Sequence, residues 1–550
     1  MINGKMFRDA VVSASNCISN RKAEVDELNV FPVPDGDTGT NMAMTMSNAS
    51  RRLVNLEENS ITKVADETAS CLLRGARGNS GVILSLLFRG LSKGLKGIDE
   101  ADGVQLAAAL RMGVDAAYKA VMKPTEGTIL TVARLSADKA KAVAAKNPDP
   151  VYVWREVCIE AERVLDTTPD MLPVLKKAGV VDSGGKGLTV IFNAMLDVFE
   201  GGEVVQPASK TAAVKEETKS AISRLEAEIT FTYCTEFIVR KAEGLTRDAL
   251  ALRAYLESIG DSCVTVDDDD IIKVHVHTDN PGKALQEGLK YGQLTGIKIE
   301  NMRDQNEKIK HDEAQSATTS GGEALKSVKP EKPYGFVTVS AGEGLGQLFE
   351  ELGADLVVKG GQTMNPSTDD ILSAIEATPA ETVFVFPNNK NIIMAAEQAV
   401  PFATRKVVVI PTRTIPMGIS AMLAFDEDAS VEENVEAMTT AADHVGTGLV
   451  TYAVRDSEYD GHKIKKGEIM GIQNGKVTYI EQDISKTVVK LARGLATPDS
   501  AMITLFYGDK VSSQDAEKVR AMVEQKVGSG IEVAAINGGQ PVYFYIISVE

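Results

Sequence analysis

The chain has 550 residues, 43% of them hydrophobic, and a formal net charge of −18. That length suggests three or four domains, the composition is that of a soluble globular protein, and no run approaches the roughly 18 apolar residues of a membrane span. The acidic balance argues against nucleic acid as the main partner, because a phosphate backbone needs compensating cations. Five scattered cysteines (Cys17, Cys71, Cys158, Cys234 and Cys263) point to reduced thiols rather than a disulfide framework. Arg8 and Asp9 interrupt any secretory segment, so a cytoplasmic location is expected.

Residues 1–28 predict a helix, with Phe7, Val11, Ala14 and Ile18 on one face. Residues 29–42, NVFPVPDGDTGTNM, lack apolar periodicity. They read as a rigid entry segment, a tight loop and a helix opening near Asn41. Asp35 and Asp37, two apart, can converge on one hard cation such as Mg²⁺, which shares its oxygen ligands with substrate phosphates. The N–H groups of the following helix favour an anion at the same place. An Asp-Gly surface turn is the alternative reading of these residues.

Helices are expected over 41–56, 61–73, 81–95, 101–122, 151–168 and 188–199, with another starting at 128. Between them lie RGARGNSG (74–81) and DSGGKG (182–187). Small residues there would let the backbone approach phosphate, and Arg74 or Arg77 would supply positive charge. Three such loops within the first 190 residues point to one shared ligand.

The order DGDTGTNM, GNSG, DSGG resembles the nucleotide-binding (L-type) domain of the dihydroxyacetone kinases over roughly residues 1–200. The resemblance implies an all-α helical barrel with Mg-ATP at one end and two Mg²⁺ held by aspartates, here Asp35 and Asp37. The family's third aspartate is missing. Asn29 is the nearest candidate, able to ligate through its carbonyl oxygen but without charge. Carried over in the same way, Thr38, Asn41, Met42, Gly78, Asn79, Ser80, Gly81, Asp182 and Gly184 would line the nucleotide. Thr128 and Leu130 would border the adenine, unless residues 123–133 are an ordinary helix connection. Arg77 would stabilise transition-state charge, unless it pairs with a surface carboxylate.

Residues 201–220 read as a linker. Residues 221–308 predict the order β-α-β-β-α-β, a ferredoxin-like α+β domain with strands at 229–233, 263–266, 271–277 and 295–301. In that fold the first and third strands are neighbours. His275 and His277 then share a face beside Cys234, a set suited to Zn²⁺ with one position open. Exposed strand histidines and a buried cysteine are the alternative. Residues 309–332 read as a second linker.

From 333 to 550 strands at 335–339, 355–358, 382–386 and 406–410 alternate with helices, predicting a parallel sheet covered on both faces, and 542–549 reads as a last strand. Gly342, Gly344 and Gly346 do not fit a dinucleotide fingerprint. The loop 360–370 follows a strand end, where α/β sheets bind ligands, and its Asn365-Pro366-Ser367 also reads as a helix start. This part resembles the α/β fold of DegV-like fatty-acid-binding proteins. Together with YCTEF and KVHVHTDNP in the middle domain, the whole chain resembles the ATP-binding subunit of bacterial fatty acid kinase. The resemblance implies that a separate fatty-acid-binding carrier protein presents a lipid whose carboxylate is phosphorylated, the acyl phosphate serving phospholipid synthesis. It also implies a homodimer, a C-terminal domain that docks the carrier, and zinc on Cys234, His275 and His277. Rival readings are a kinase for a small carbonyl or polyol, an ATP-binding scaffold without turnover, and a zinc phosphatase.

Overall fold

A computed structural model describes residues 1–29, 36–121, 124–207, 233–241, 249–267, 271–301, 325, 327–361, 364–459, 462–528 and 530–550. Segments 1–208 and 326–550 form one compact unit, and 209–325 forms a second.

The N-terminal segment contains α1 (Gly4–Asp26), α2 (Thr38–Leu53), α3 (Ile61–Arg74), α4 (Gly78–Gly94), α5 (Gly103–Ala120), α6 (Ile129–Ala144), α7 (Pro150–Met171), the short α8 (Pro173–Ala178) and α9 (Ser183–Phe199). Apart from α8, each helix packs on the next, and α9 returns to α1, so the ring closes around one core. The face predicted from Phe7, Val11, Ala14 and Ile18 is buried in it. Trp154 of α7 lies edge-on to Phe192 and Phe199 of α9 at 5.3 and 5.7 Å, and its Nε1 donates to the Phe192 carbonyl at 3.1 Å. A two-residue pairing of β1 (Ile2–Asn3) with β2 (Glu100–Ala101), which no sequence pattern announces, ties the start of the chain to the connection between α4 and α5.

Three helices start earlier than predicted, at Thr38, Gly78 and Ser183. GNSG and SGGKG are therefore first helical turns, not loops, while Gly75, Ala76 and Arg77 connect α3 to α4. The reason is close packing. A Cβ on Gly81 would stand 2.4 Å from Thr45 Oγ1, and one on Gly187 would stand 2.5 Å from Met42 Sδ. Part of the expected first linker is also fixed. Val205 N donates to Ser13 Oγ at 3.0 Å, and its carbonyl accepts from Asn16 Nδ2 at 2.8 Å. Residues 208–220 lie outside the described residues.

The C-terminal segment holds two large sheets and a two-stranded ribbon of Ser457–Tyr459 with His462–Ile464. The first is parallel, in the order Lys406–Val409, Ala380–Phe386, Lys332–Ser340, Leu356–Lys359. The second runs Lys476–Glu481, Ile469–Gln473, Gly446–Tyr452, Tyr545–Val549, Met502–Tyr507, Glu532–Asn537. Only its last pair is parallel, and the four strands expected to form a parallel sheet are those of the first. The final strand starts at Tyr545 rather than 542, because Val542 has a φ of +72° and turns the chain out of line. The helix start at Ser367 is present as a reciprocal cap, with Asp370 N donating to Ser367 Oγ at 3.1 Å and Ser367 N to Asp370 Oδ2 at 2.7 Å.

The second unit contains β3 (Tyr233–Lys241), α10 (Ala249–Ile259), β4 (Gly260–Asp267), β5 (Ile271–Thr278), α11 (Pro281–Gly288) and β6 (Gly292–Asn301). The sheet order is β4-β5-β3-β6, antiparallel throughout. Alternate residues Ile272, Val274 and Val276 of β5 meet Leu252, Leu256 and Ala284 in its core. The predicted first strand at 229–233 overlaps β3 only at Tyr233, and 229–232 lie outside the described residues.

Candidate functional site

Four helix N-termini meet at one end of the ring. Thr38 Oγ1, at the start of α2, donates to Asn29 Oδ1 at 2.8 Å. The Ser183 hydroxyl, at the start of α9, points to the same Asn29 oxygen at 3.1 Å and to Thr38 Oγ1 at 3.3 Å. At the start of α4, a Cβ on Gly78 would fall 2.5 Å from Asn41 Nδ2, so this glycine sits directly on α2. Arg77 N donates to Thr45 Oγ1 at 3.2 Å across the same contact. Asp182 joins α9 to α6 by accepting from the backbone N–H groups of Gly185, at 2.7 Å, and Ile129. Each N-terminus leaves N–H groups without helical partners and carries a partial positive charge, so their convergence favours an anion.

The expected site residues divide here. Asp35 lies outside the described residues. Asp37 occupies the N-cap position of α2 and makes no cap hydrogen bond of its own. Thr38 and Asn41 are buried at the meeting point, while Asn79 and Ser80 are half-buried in the first turn of α4 with the buried Gly81. Met42 and Leu130 are instead buried in the ring's core, at 0% and 2% exposure. Their side chains pack in that core. The Thr128 hydroxyl donates to the Thr125 carbonyl at 2.7 Å. Gly184 lies against Ile129. Asp182 acts as a cap, and burial outweighs its two N–H donors to push its carboxyl up to about 6. Asn29 Oδ1 already accepts two hydroxyl donors. The nearby Asp26, which no motif singles out, binds Thr40 N at 3.1 Å and Thr40 Oγ1 at 2.7 Å.

A second group of residues comes from the C-terminal segment. Asn365, 1% exposed, donates from Nδ2 to Asp37 Oδ2 at 2.6 Å and towards Asn41 Oδ1 at 3.4 Å. Its backbone carbonyl accepts from Arg77 Nη1 at 2.7 Å, and Arg77 Nη2 pairs with Asp370 at 3.3 Å. Thr368 N donates to the Ala76 carbonyl at 3.1 Å, and Arg74 approaches Asp369 at 3.9 Å. Both arginines therefore meet carboxylates, and Arg77 tethers the C-terminal segment. Ala76 and Val82 extend this contact into an apolar cluster with Val337, Ile371 and Ile375. Asn79 Nδ2 reaches Asn391 Oδ1 at 3.4 Å. The Oδ1 atoms of Asn79 and Asn365 are buried without a hydrogen-bond partner. Loop 360–370 is legible in the sequence as a strand-end loop, but no local pattern shows which surface it meets.

Among the described residues no three His, Cys, Asp or Glu side chains are grouped to hold a metal. The oxygens gathered here, from Asp37, Asn41, Asn79 and Asn365, are the hard donors that Mg²⁺ and its bound waters take. In the second unit, Cys234 pairs in register with His277, and Glu236 with His275, on adjacent strands β3 and β5. The side chains of Cys234, His275 and His277 lie outside the described residues.

Family models match in three places: the DAK2 domain over residues 32–197, the middle domain of FakA-like fatty acid kinases over 230–309, and their C-terminal domain over 335–550. The Bacillus subtilis protein YloV is 43% identical over 555 residues, covering 100% of this chain and 99% of that protein. An uncharacterized protein of Staphylococcus haemolyticus is 41% identical over 553 residues, again covering 100% and 99%. Among solved structures, a DegV family protein from Corynebacterium glutamicum covers 40% of this chain and 97% of its own, at 14% identity and a TM-score of 0.32. The dihydroxyacetone kinase from C. freundii in complex with AMP-PNP and Mg²⁺ covers 35% of this chain and 34% of its own, at 18% identity and a TM-score of 0.29. No helix among the described residues is long and apolar enough to cross a membrane.

Proposed function

Since the chain belongs to the FakA-like fatty acid kinase family of phosphotransferases, we propose that it transfers the γ-phosphoryl group of ATP to the carboxylate of a fatty acid. A separate fatty-acid-binding carrier presents that acid, and the product is an acyl phosphate. The observation that carries the reading is the convergence of the N-termini of α2, α4, α6 and α9 beside Asp37.

Phosphoryl transfer calls for in-line positioning and charge neutralisation more than covalent chemistry. Mg²⁺, held by Asp35 and Asp37, would supply neutralisation of the phosphate oxygens. The first-turn N–H groups at Thr38, Asn79 and Ser80 hold phosphate oxygens, with the glycines at Gly78 and Gly81 letting the backbone come close. Asn41 orients the polyphosphate from the side. Arg77 acts by fixing the C-terminal segment over the site. The acceptor is already a carboxylate, so no general base is needed to activate it. The middle domain, read as ferredoxin-like on its strand order, holds zinc through Cys234, His275 and His277. The C-terminal domain, read as DegV-like, docks the carrier, and the protein works as a cytoplasmic homodimer.

The test incubates the full chain with γ-labelled ATP, Mg²⁺ and a fatty-acid-loaded carrier, and looks for label in a hydroxylamine-sensitive acyl phosphate. Carrier-dependent label that disappears in Asp35→Ala supports the proposal. Label on free dihydroxyacetone or another small acceptor would replace it with the small-substrate kinase. Nucleotide binding with no transfer to any acceptor would leave a scaffold.

A further inference from the structure

We infer that Asn365, carried on the C-terminal segment, completes the Mg-nucleotide site of the helical domain as a positioning residue. Its amide N–H holds the Asp37 carboxylate, and its free carbonyl oxygen receives a hydrogen bond from a metal-bound water. The inference rests on the Mg-ATP reading given above and adds to it a residue from a different part of the chain.

Three observations carry it. First, Asn365 Nδ2 lies 2.6 Å from Asp37 Oδ2, and the opposite amide orientation would set two oxygens against each other. The amide therefore fixes where the carboxylate points. Second, Asn365 Oδ1 has no partner although the residue is 1% exposed, and Asn79 Oδ1 is likewise buried without one. A buried unpaired acceptor is uncommon and asks what fills it. Both atoms can only accept, so a bare phosphate, itself an acceptor, would be repelled. A hydrated cation satisfies them, because Mg²⁺ usually keeps several waters whose hydrogens point outward. Third, the placement of this amide is over-determined. Arg77 Nη1 grips the Asn365 carbonyl at 2.7 Å, Thr368 N bonds the Ala76 carbonyl at 3.1 Å, and Ser367 bridges to Arg77. Pro366 restricts the backbone between these contacts.

The consequence is a site divided between two segments. The helical ring supplies the phosphate-binding N–H groups and the Asp37 carboxylate, and the C-terminal segment supplies the group that orients that carboxylate and its water.

The experiment compares the full-length wild type with Asn365→Ala and Asn365→Asp. Binding of a non-hydrolysable ATP analogue is followed by calorimetry across a Mg²⁺ titration and in EDTA, with unfolding of the helical domain followed through Trp154 fluorescence. By analogy with other groups that support metal ligands, Asn365→Ala should raise the Mg²⁺ midpoint about tenfold. Binding in EDTA should be unchanged. Asn365→Asp, nearly isosteric but bringing a second carboxylate against Asp37, should weaken binding in EDTA and steepen its dependence on Mg²⁺. Wild-type Mg²⁺ midpoints in both variants would overturn the inference while leaving the kinase reading intact. Equal losses with and without Mg²⁺, accompanied by a lower unfolding midpoint, would also overturn it, since they mark a purely structural contact. A wild type that binds no nucleotide under any Mg²⁺ concentration would instead remove the kinase reading, on which this inference depends.

Discussion

Replacing Gly78 with alanine should destabilise the helical domain by about 2–5 kcal/mol, and the two parts of that figure can be separated. Gly78 has a φ of +57°, where a side chain costs about 1–2 kcal/mol. A Cβ there would also stand 2.5 Å from Nδ2 and 3.0 Å from Cγ of Asn41, a residue 4% exposed. Moving Asn41 breaks its buried contacts, for about 1–3 kcal/mol more. Gly97 provides the control. It has a φ of +83°, but a Cβ there meets nothing within 4 Å, so Gly97→Ala carries the backbone cost alone. Trp154 is the only tryptophan of the chain, 1% exposed in the helical core, so its fluorescence reports unfolding of that domain. With a urea dependence of about 1–3 kcal/mol per molar, the two variants should differ in midpoint by roughly 1 M. Equal midpoints would show that the approach of α4 to Asn41 costs nothing to disturb, and would refute the close-packing account of this glycine-rich turn.

Asp182, with its carboxyl pushed up to about 6, holds a proton more tightly folded than unfolded. Its contribution to stability is therefore greatest below about pH 4 and declines as pH rises through 6. Asp182→Asn should remove that decline, so the difference between wild-type and variant Trp154 unfolding midpoints should change sign or shrink between these pH values; a constant difference would disprove it. Arg405, with a side chain 5% exposed, donates to the carbonyls of Thr378, Ala380, Val328 and Glu376 and pairs with the Glu376 carboxylate. A lysine cannot reproduce this fork, so Arg405→Lys should cost about 2–4 kcal/mol, read as faster amide exchange at 328 and 380–382 without change at α1. Under the zinc proposal, Cys234→Ala should lose its roughly one equivalent of zinc by metal analysis; full retention would rule out Cys234 as a ligand.

Much of the fold is legible in local patterns. The face of α1 follows from Phe7, Val11, Ala14 and Ile18, and the alternation of Ile272, Val274 and Val276 gives strand β5 its buried side. What local pattern misreads is the role of glycine. GNSG and DSGG look like loops because glycine is a poor helix former, yet in a first turn the penalty is small and the missing side chain lets α4 press onto α2 and α9 onto α6. The same ambiguity hides the duty of Met42 and Leu130, which stand beside motif residues in sequence but face the core. The contact of Asn365 with Asp37 joins residues 328 apart. No periodicity encodes such a pairing. Only the helix start at Asn365-Pro366-Ser367 could be read, and it says nothing of the partner.

The grip of Arg77 on Asn365 also sets a timetable for biosynthesis. The two residues are 288 positions apart, so at about 5–20 residues per second the ribosome needs roughly 15–60 s to deliver the second after the first. Throughout that interval the nascent helical ring presents Asn41, Ala76 and Val82 to whatever surrounds it. A cell translating this chain thus holds, for tens of seconds, a ring with an open end and an uncovered apolar seam. That is long enough for a chaperone to engage the seam, or for nucleotide to enter before the segment that completes the site has been made.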